Sequence, residues 1–305
     1  MMSQFAEPPH ALPADVERFT TVSLDAGRHS RWSLQTPEGT LPVSRDWRMH
    51  WPALQVQIAE RERVLLALGF DGILSPTVAR PTEATLPEET RELLAKLAAS
   101  RRVAIAFLSG RSLRDIQARV GLPDAFYVGN HGMEIRGPGL ASSDGLAVSC
   151  RSDLVDALAF LARCTKRLRG VFIEDKGLAV TLHWRLADPR NAAALRELME
   201  VIVRNHPRLR IFTGEACWEL RARASWHKGD ALRQILSHLQ LQSVDTIFIG
   251  DELTDEDAFL HLSAGLTFCI GDSATAPARY RLGPPAETAA FLSRVLCTVN
   301  GRHLT

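Results

Sequence analysis

The sequence predicts an α/β fold in which a parallel sheet is interrupted by an inserted α+β module. Short apolar runs at 64–69, 103–108, 126–128, 244–249 and 266–270 are bounded by Gly, Pro or polar turns and separated by helical patterns. That alternation is the pattern of strands buried on both faces of a parallel sheet. Between them, from about 153 to 221, the order changes to helix, hairpin, helix, hairpin, which reads as a small antiparallel sheet covered on one face by two helices. The alternating pattern resumes at Lys228, so the chain leaves one sheet and later returns to it.

In chain order, residues 1–55 carry Pro8, Pro9, Pro13, Pro37 and Pro42 and scattered Trp32, Trp47 and Trp51, without a sustained period. They read as an N-terminal extension whose Trp residues argue for packing, since large aromatics are there to be buried. The run at 64–69 is the first strand and ends in the turn Asp71-Gly72. Leu86-Pro87-Glu88-Glu89 opens a helix to about 100, with Leu93, Leu94 and Leu97 on one stripe. The strand at 103–108 passes directly into Ser109-Gly110-Arg111-Ser112 and a helix to about 120, and the strand at 126–128 into Gly129-Asn130-His131-Gly132. A helix at about 153–168 precedes strands at 171–174 and 178–184, joined through Asp175-Lys176-Gly177. A helix at about 189–205 precedes a second strand pair at 209–212 and 217–221. The expected domains are therefore a core from 56–140 and 222–305 and an insertion from 141–221, after the 1–55 extension.

Composition removes several function classes. The 305 residues hold 36 Lys and Arg against 35 Asp and Glu, which predicts neither a nucleic-acid nor an anionic-membrane partner. The five cysteines are an odd number without metal-ligand spacing, so they are expected as reduced thiols of a cytoplasmic protein. No apolar run approaches the roughly 18 residues of a membrane span, and residues 1–24 lack a secretory profile.

Four stretches could carry chemistry. Asp71 sits at the carboxyl end of a buried strand, the edge that faces the crevice in open α/β sheets. Ser109-Gly110-Arg111 lies where a strand gives way to a helix, so it reads either as an anion site or as an N-cap Ser with a tight turn. Lys228 opens a helix and could neutralise a phosphate oxygen or simply be solvated. In Gly250-Asp251-Glu252-Leu253-Thr254-Asp255-Glu256-Asp257, Thr254 and Asp257 read as a capping pair, which leaves Asp251 and Glu252 ahead of it. Carboxylates at that edge suit Mg²⁺, a hard ion that takes one or two of them together with a phosphate. His131 is a candidate base with no acid evidently placed to orient it.

The stretch Gly69-Phe70-Asp71-Gly72-Ile73 resembles motif one of the haloacid dehalogenase superfamily, Asp-x-Asp-Gly-Thr. Within that superfamily the chain resembles the trehalose-6-phosphate phosphatases. The likeness rests on Leu108-Ser109-Gly110-Arg111-Ser112, Gly129-Asn130-His131-Gly132-Met133-Glu134, Glu174-Asp175-Lys176-Gly177-Leu178, His183-Trp184-Arg185, Trp226-His227-Lys228-Gly229-Asp230 and the acidic run from Gly250, in the family's order. It implies a Rossmann-like core with a cap inserted between Ser109 and Lys228, a Mg²⁺ ion and a sugar-phosphate ligand.

Carried over by position, Ser109, Gly110 and Lys228 hold the phosphate, and Asp251 binds the metal. Asp71 is the general acid/base and lends its backbone carbonyl to the ion, while Glu134, Glu174, Lys176 and Glu219 meet sugar hydroxyls. The resemblance also allows a trehalose-synthesis enzyme as a partner. The departures are Gly69, where the family has its nucleophilic, metal-binding Asp, and Ile73, where it has Thr. The expectation is a family member with turnover impaired or absent, or an inactive sugar-phosphate-binding or regulatory paralogue.

Overall fold

A computed structural model describes residues 45–78, 80–214, 216–223, 226–251, 255–271 and 277–301. Glu252 and Thr254, and with them the Thr254–Asp257 capping pair, lie outside the described residues, as do residues 1–44.

Helix α1 (Trp51–Ala59) leads into β1 (Val64–Gly69), followed by α2 (Glu88–Ala98), β2 (Val103–Leu108), α3 (Leu113–Val120) and β3 (Phe126–Gly129). A meander, β4 (Glu134–Gly137) and β5 (Leu140–Ser143), precedes α4 (Gly145–Ser149) and α5 (Arg151–Thr165). Strands β6 (Phe172–Asp175) and β7 (Ala179–His183), helix α6 (Ala192–Asn205), and strands β8 (Leu209–Gly214) and β9 (Cys217–Ala222) come next. The chain ends with α7 (Lys228–Leu239), β10 (Thr246–Asp251), α8 (Glu256–His261), β11 (Leu266–Ile270), β12 (Tyr280–Leu282) and α9 (Pro285–Val299).

Among the described residues, eight strands form one sheet in the order β12-β11-β10-β1-β2-β3-β4-β5, parallel except where β4 and β5 fold back. Every residue of β1 and of β2 is buried, as expected for strands covered on both faces. Alternation sorts their side chains: Leu66, Leu68 and Phe107 join Leu54, Leu94 and Phe291 on one face, whereas Leu65, Ala67 and Ala106 pack with Leu232 and Phe259 on the other. From β1 the chain winds outward to β2 and β3, and on its return it winds the other way through β10 and β11. The order thus reverses between β1 and β10, where ligands of open α/β sheets bind at the carboxyl ends of the strands.

The second sheet is antiparallel, in the order β6-β7-β9-β8, with α5 packed on β6 and β7 and α6 on β8 and β9. Val180, Leu182 and Leu220 are fully buried. The alternating set, Glu174, Thr181, Glu219 and Phe212, forms a cross-strand row on the opposite face. This is the α/β fold with an inserted α+β cap that the alternation predicts.

Three details differ from the expectation. Residues 47–55, assigned to the extension, belong to the core, with Trp47 packed as its size implies: it is 2 % exposed, lies edge-on to Trp51 and Phe291, and donates Nε1–H to Glu287 at 2.6 Å. Two turns of helix opening on Trp51-Pro52 are too short to show a period. Residues 141–143, placed in the insertion, belong with Leu140 to β5 of the large sheet. The N-cap of α3 is Ser112, which accepts the Asp115 N–H at 3.2 Å, not Ser109. No helix among the described residues is long and apolar enough to cross a membrane.

Candidate active site

The carboxyl ends of β1, β2 and β10 and the α7 N-terminus form the floor of a cavity of about 610 Å³, and the polar face of the antiparallel sheet forms its roof. Gly69, Asp71, Ser109, Gly110, Lys228 and Asp251 line the floor, and Glu174, Lys176 and Glu219 line the roof. Glu134 is not among the lining residues. Its carboxylate accepts the Asn130 amide at 2.5 Å, and the same Nδ2 donates to the Lys176 carbonyl at 3.0 Å.

Gly69 ends β1 in extended conformation. An ideal Cβ added there would meet Ile73 Cδ1 well inside 3.0 Å, because Ile73 is 1 % exposed and turned back toward the strand. The turn that brings it back is tight: Leu74 and Ser75 both donate to the Phe70 carbonyl, and Gly72 takes φ +74, where a side chain would be strained. The space a Cβ at position 69 would take is occupied by the Ile73 δ-methyl group.

Asp71 is held by a guanidinium fork. Arg111 Nε donates to Oδ2 at 2.9 Å and Nη2 to Oδ1 at 2.6 Å, while Nη1 donates to Asp115 at 2.8 Å. Burial alone would lower the Arg111 pKa, but the two carboxylates outweigh it and raise it. For Asp115, burial acts upward, yet Arg119 and Arg111 hold the carboxyl below its ordinary value. Nothing in the Ser109-Gly110-Arg111 motif marks Arg111 for this role, because Asp71 lies 40 residues away.

Ser109 N–H donates to the Val128 carbonyl, and Ser109 O accepts the His131 N–H, which ties the β2 and β3 termini together. Lys228 Nζ donates to Asp255 Oδ1 at 2.6 Å, both side chains being buried, and Asp255 Oδ2 accepts the Asp251 N–H at 2.9 Å. Burial raises the Asp255 pKa against the pull of Lys228. The floor and the α7 turn are fastened at Gly132: its φ is +108, a Cβ would collide with the His227 carbonyl and Lys228 N, and its own carbonyl accepts Trp226 Nε1–H at 2.7 Å.

His131 does have an acid beside it. Its Nε2 lies 3.4 Å from Glu219 Oε1, a contact no linear spacing could reveal because Glu219 comes from the other sheet. The ring lies so close over Gly110 that a Cβ there would strike it. Burial lowers the His131 pKa to about 4 despite Glu219, so the imidazole is neutral near pH 7. Both Asn130 (φ 48) and His131 (φ 57) are left-handed, a conformation Asn tolerates and His131, which lines the cavity, adopts at a cost.

Glu219 is the hub of the roof. It accepts Lys176 Nζ at 2.6 Å, Thr181 Oγ1 at 2.7 Å and Arg221 Nε. Burial would raise its pKa, but Lys176, His131 and Arg221 together hold it well below the carboxylate range. Glu174 accepts from His183 Nε2 at 2.9 Å. Although burial opposes it, that contact and Lys176 lower its pKa. The floor thus offers hydroxyl, ammonium and backbone N–H groups suited to an anion, and the roof offers fixed carboxylates and cations suited to hydroxyls.

For a metal ion, the floor is lined by the Asp251 carboxylate and by Asp71, whose own carboxylate is held by Arg111. Gly69 adds no carboxylate, and the Asp255 carboxylate is taken by Lys228 and the Asp251 N–H. That set fits a hard divalent ion whose shell is completed by a phosphate and waters.

The model of the trehalose-phosphatase family matches residues 67–275. The chain is 31% identical over 257 residues to trehalose-phosphate phosphatase B of Arabidopsis thaliana, covering 79% of this chain and 68% of that protein. It is 36% identical over 236 residues to the trehalose-phosphate phosphatase of Mycobacterium bovis, covering 74% of this chain and 59% of that protein. Among solved structures, the C-terminal domain of a C. albicans trehalose-6-phosphate phosphatase superimposes with TM-score 0.68 at 21% identity, over 80% of this chain and 96% of that one. That last likeness speaks to fold alone.

Proposed function

The chain belongs to the trehalose-phosphatase family, and from that premise we propose that it binds trehalose 6-phosphate or a related sugar phosphate while having lost most or all of the family's turnover. The observation that carries this reading is the pairing of Gly69 with Ile73 on a floor that keeps Ser109, Lys228, Asp71 and Asp251.

In this reading the Ser109 hydroxyl, the Gly110 N–H and the Lys228 ammonium hold the phosphate, and Glu174, Lys176 and Glu219 meet the sugar hydroxyls. Mg²⁺, held by Asp251 and the Asp71 carbonyl, would neutralise charge on the phosphate oxygens when bound. An aspartyl-phosphate route needs a carboxylate in reach of phosphorus, and Gly69 has none. Removing the nucleophile of a serine protease costs about 10⁶ in turnover, which sets the scale of the loss. The route left is attack by water on phosphorus as the P–O bond to the sugar breaks, with Asp71, oriented by Arg111, taking the water proton and passing it to the departing sugar oxygen.

Calorimetry with trehalose 6-phosphate and Mg²⁺, beside a phosphate-release assay on the same protein, tests the proposal. Binding with release near background supports it; turnover at family rates, or no binding by any sugar phosphate, refutes it. A second reading, a regulatory module that supports a trehalose-synthesis enzyme, is favoured by the same Gly69 and Ile73. Binding with complete catalytic silence selects it.

A further inference from the structure

Behind the floor, α7 and α8 bring two imidazoles and a carboxylate together. His227 precedes α7, Asp230 lies in its first turn and His261 ends α8; one ligating atom from each lies within 4.8 Å of the others. His227 Nδ1 is shielded from solvent at the capping box of α7, where the Asp230 backbone N–H faces its side chain and Asp230 Oδ2 lies 3.3 Å from Nδ1. The two rings stand 4.9 Å apart at 57°, tilted rather than stacked.

Gly229 makes this approach possible, since a Cβ there would come within 2.8 Å of His261 Nδ1. His261 Nδ1–H donates to the Asp257 carbonyl at 2.7 Å, the outer bond that fixes the tautomer of metal-binding histidines and leaves the lone pair on Nε2. Asp230 is fixed as well, accepting the His227 N–H at 3.0 Å and pairing with Arg233.

We propose that His227, Asp230 and His261 form a site for a zinc-class transition metal, separate from the floor of the cavity. Two imidazoles and one carboxylate select zinc, cobalt or nickel over magnesium. A tetrahedral ion with bonds of about 2.0–2.1 Å needs ligand atoms roughly 3.3 Å apart, which the His227–Asp230 edge already satisfies. A side-chain adjustment of His261, exposed at the end of its helix, completes three ligands, and water takes the fourth position. The ion would tie α8 to the first turn of α7, one residue from Lys228.

The test uses the full chain stripped with a chelator. Zn²⁺ titration by competition calorimetry should give one ion per chain, unaffected by excess Mg²⁺, with a rise in melting temperature. Co²⁺ should give the visible spectrum of a four-coordinate ion. His261→Ala should weaken Zn²⁺ by on the order of 100-fold, as should Asp230→Asn if the first variant fails to fold, while Asp251→Asn leaves Zn²⁺ affinity unchanged. Zinc affinity that persists in both His261→Ala and Asp230→Asn, a six-coordinate Co²⁺ spectrum, or displacement by Mg²⁺ overturns the proposal.

Discussion

Ile73 Cδ1 occupies the space that a Cβ on Gly69 would need. Positions 69 and 73 are therefore coupled by packing: the Ile73 side chain as it stands and a side chain at position 69 compete for the same space.

Gly69→Asp alone is expected to strain the core and restore nothing, because overpacking costs about 1–3 kcal/mol and displaces the new side chain. The double variant Gly69→Asp/Ile73→Thr removes the obstruction. It should raise Mg²⁺-dependent phosphate release from trehalose 6-phosphate by several orders of magnitude, on the order of 10⁴ or more. A folded double variant, checked by circular dichroism, that stays silent would place the defect elsewhere.

Lys228→Met leaves the Asp255 carboxylate buried without its cation, a change that costs about 3–5 kcal/mol. Adding Asp255→Asn should recover a large part of this, since the residual amide is uncharged. Urea denaturation of the wild type, both single variants and the double variant measures the coupling; additive losses would contradict the pairing.

Acid should destabilise the fold partly through His131. Its folded pKa, about 4, lies below the ordinary 6.5, so between those values the unfolded chain binds more protons and stability rises with pH. That contribution is complete above about pH 6.5. It is lost as pH falls toward 4, at about 1.4 kcal/mol per unit and about 3 kcal/mol in all. His131→Asn, which tolerates the left-handed backbone, should flatten the slope of unfolding free energy in that window.

Trp47→Ala should cost about 3–5 kcal/mol, as expected for an aromatic buried against Trp51 and Phe291. Thermal denaturation reads this directly. A loss under 1 kcal/mol would mean that the segment before β1 contributes little to the core.

The parallel strands were legible because burial on both faces leaves uninterrupted apolar runs such as Val64–Gly69 and Val103–Leu108. The antiparallel sheet was legible because its hairpins are close in sequence. The place of α1 in the core escaped because nine residues show no period, and β4–β5 because four-residue strands around Gly137 and Gly139 are too short to show alternation. At the site, Asp71, Ser109, Lys228 and Asp251 stood out as strand-end and helix-start residues. The partners that orient them did not: Arg111 reaches Asp71, and Glu219 reaches His131, only once distant elements are folded together. The reach of Ile73 into the vacancy is a matter of rotamer and turn geometry, which no motif encodes.

Gly132 bears on how the molecule can move. Because this bare backbone presses against His227 and Lys228, and its carbonyl takes the Trp226 indole, the two sides of the cavity floor are stitched to each other without passing through the inserted sheet. A swing of that sheet can widen or narrow the roof, but the spacing between the β3 loop and the start of α7 stays put. If the proposed phosphate binds there, its seat is set by packing that the fold already provides, and only the hold on the remainder of the ligand is left to the inserted sheet.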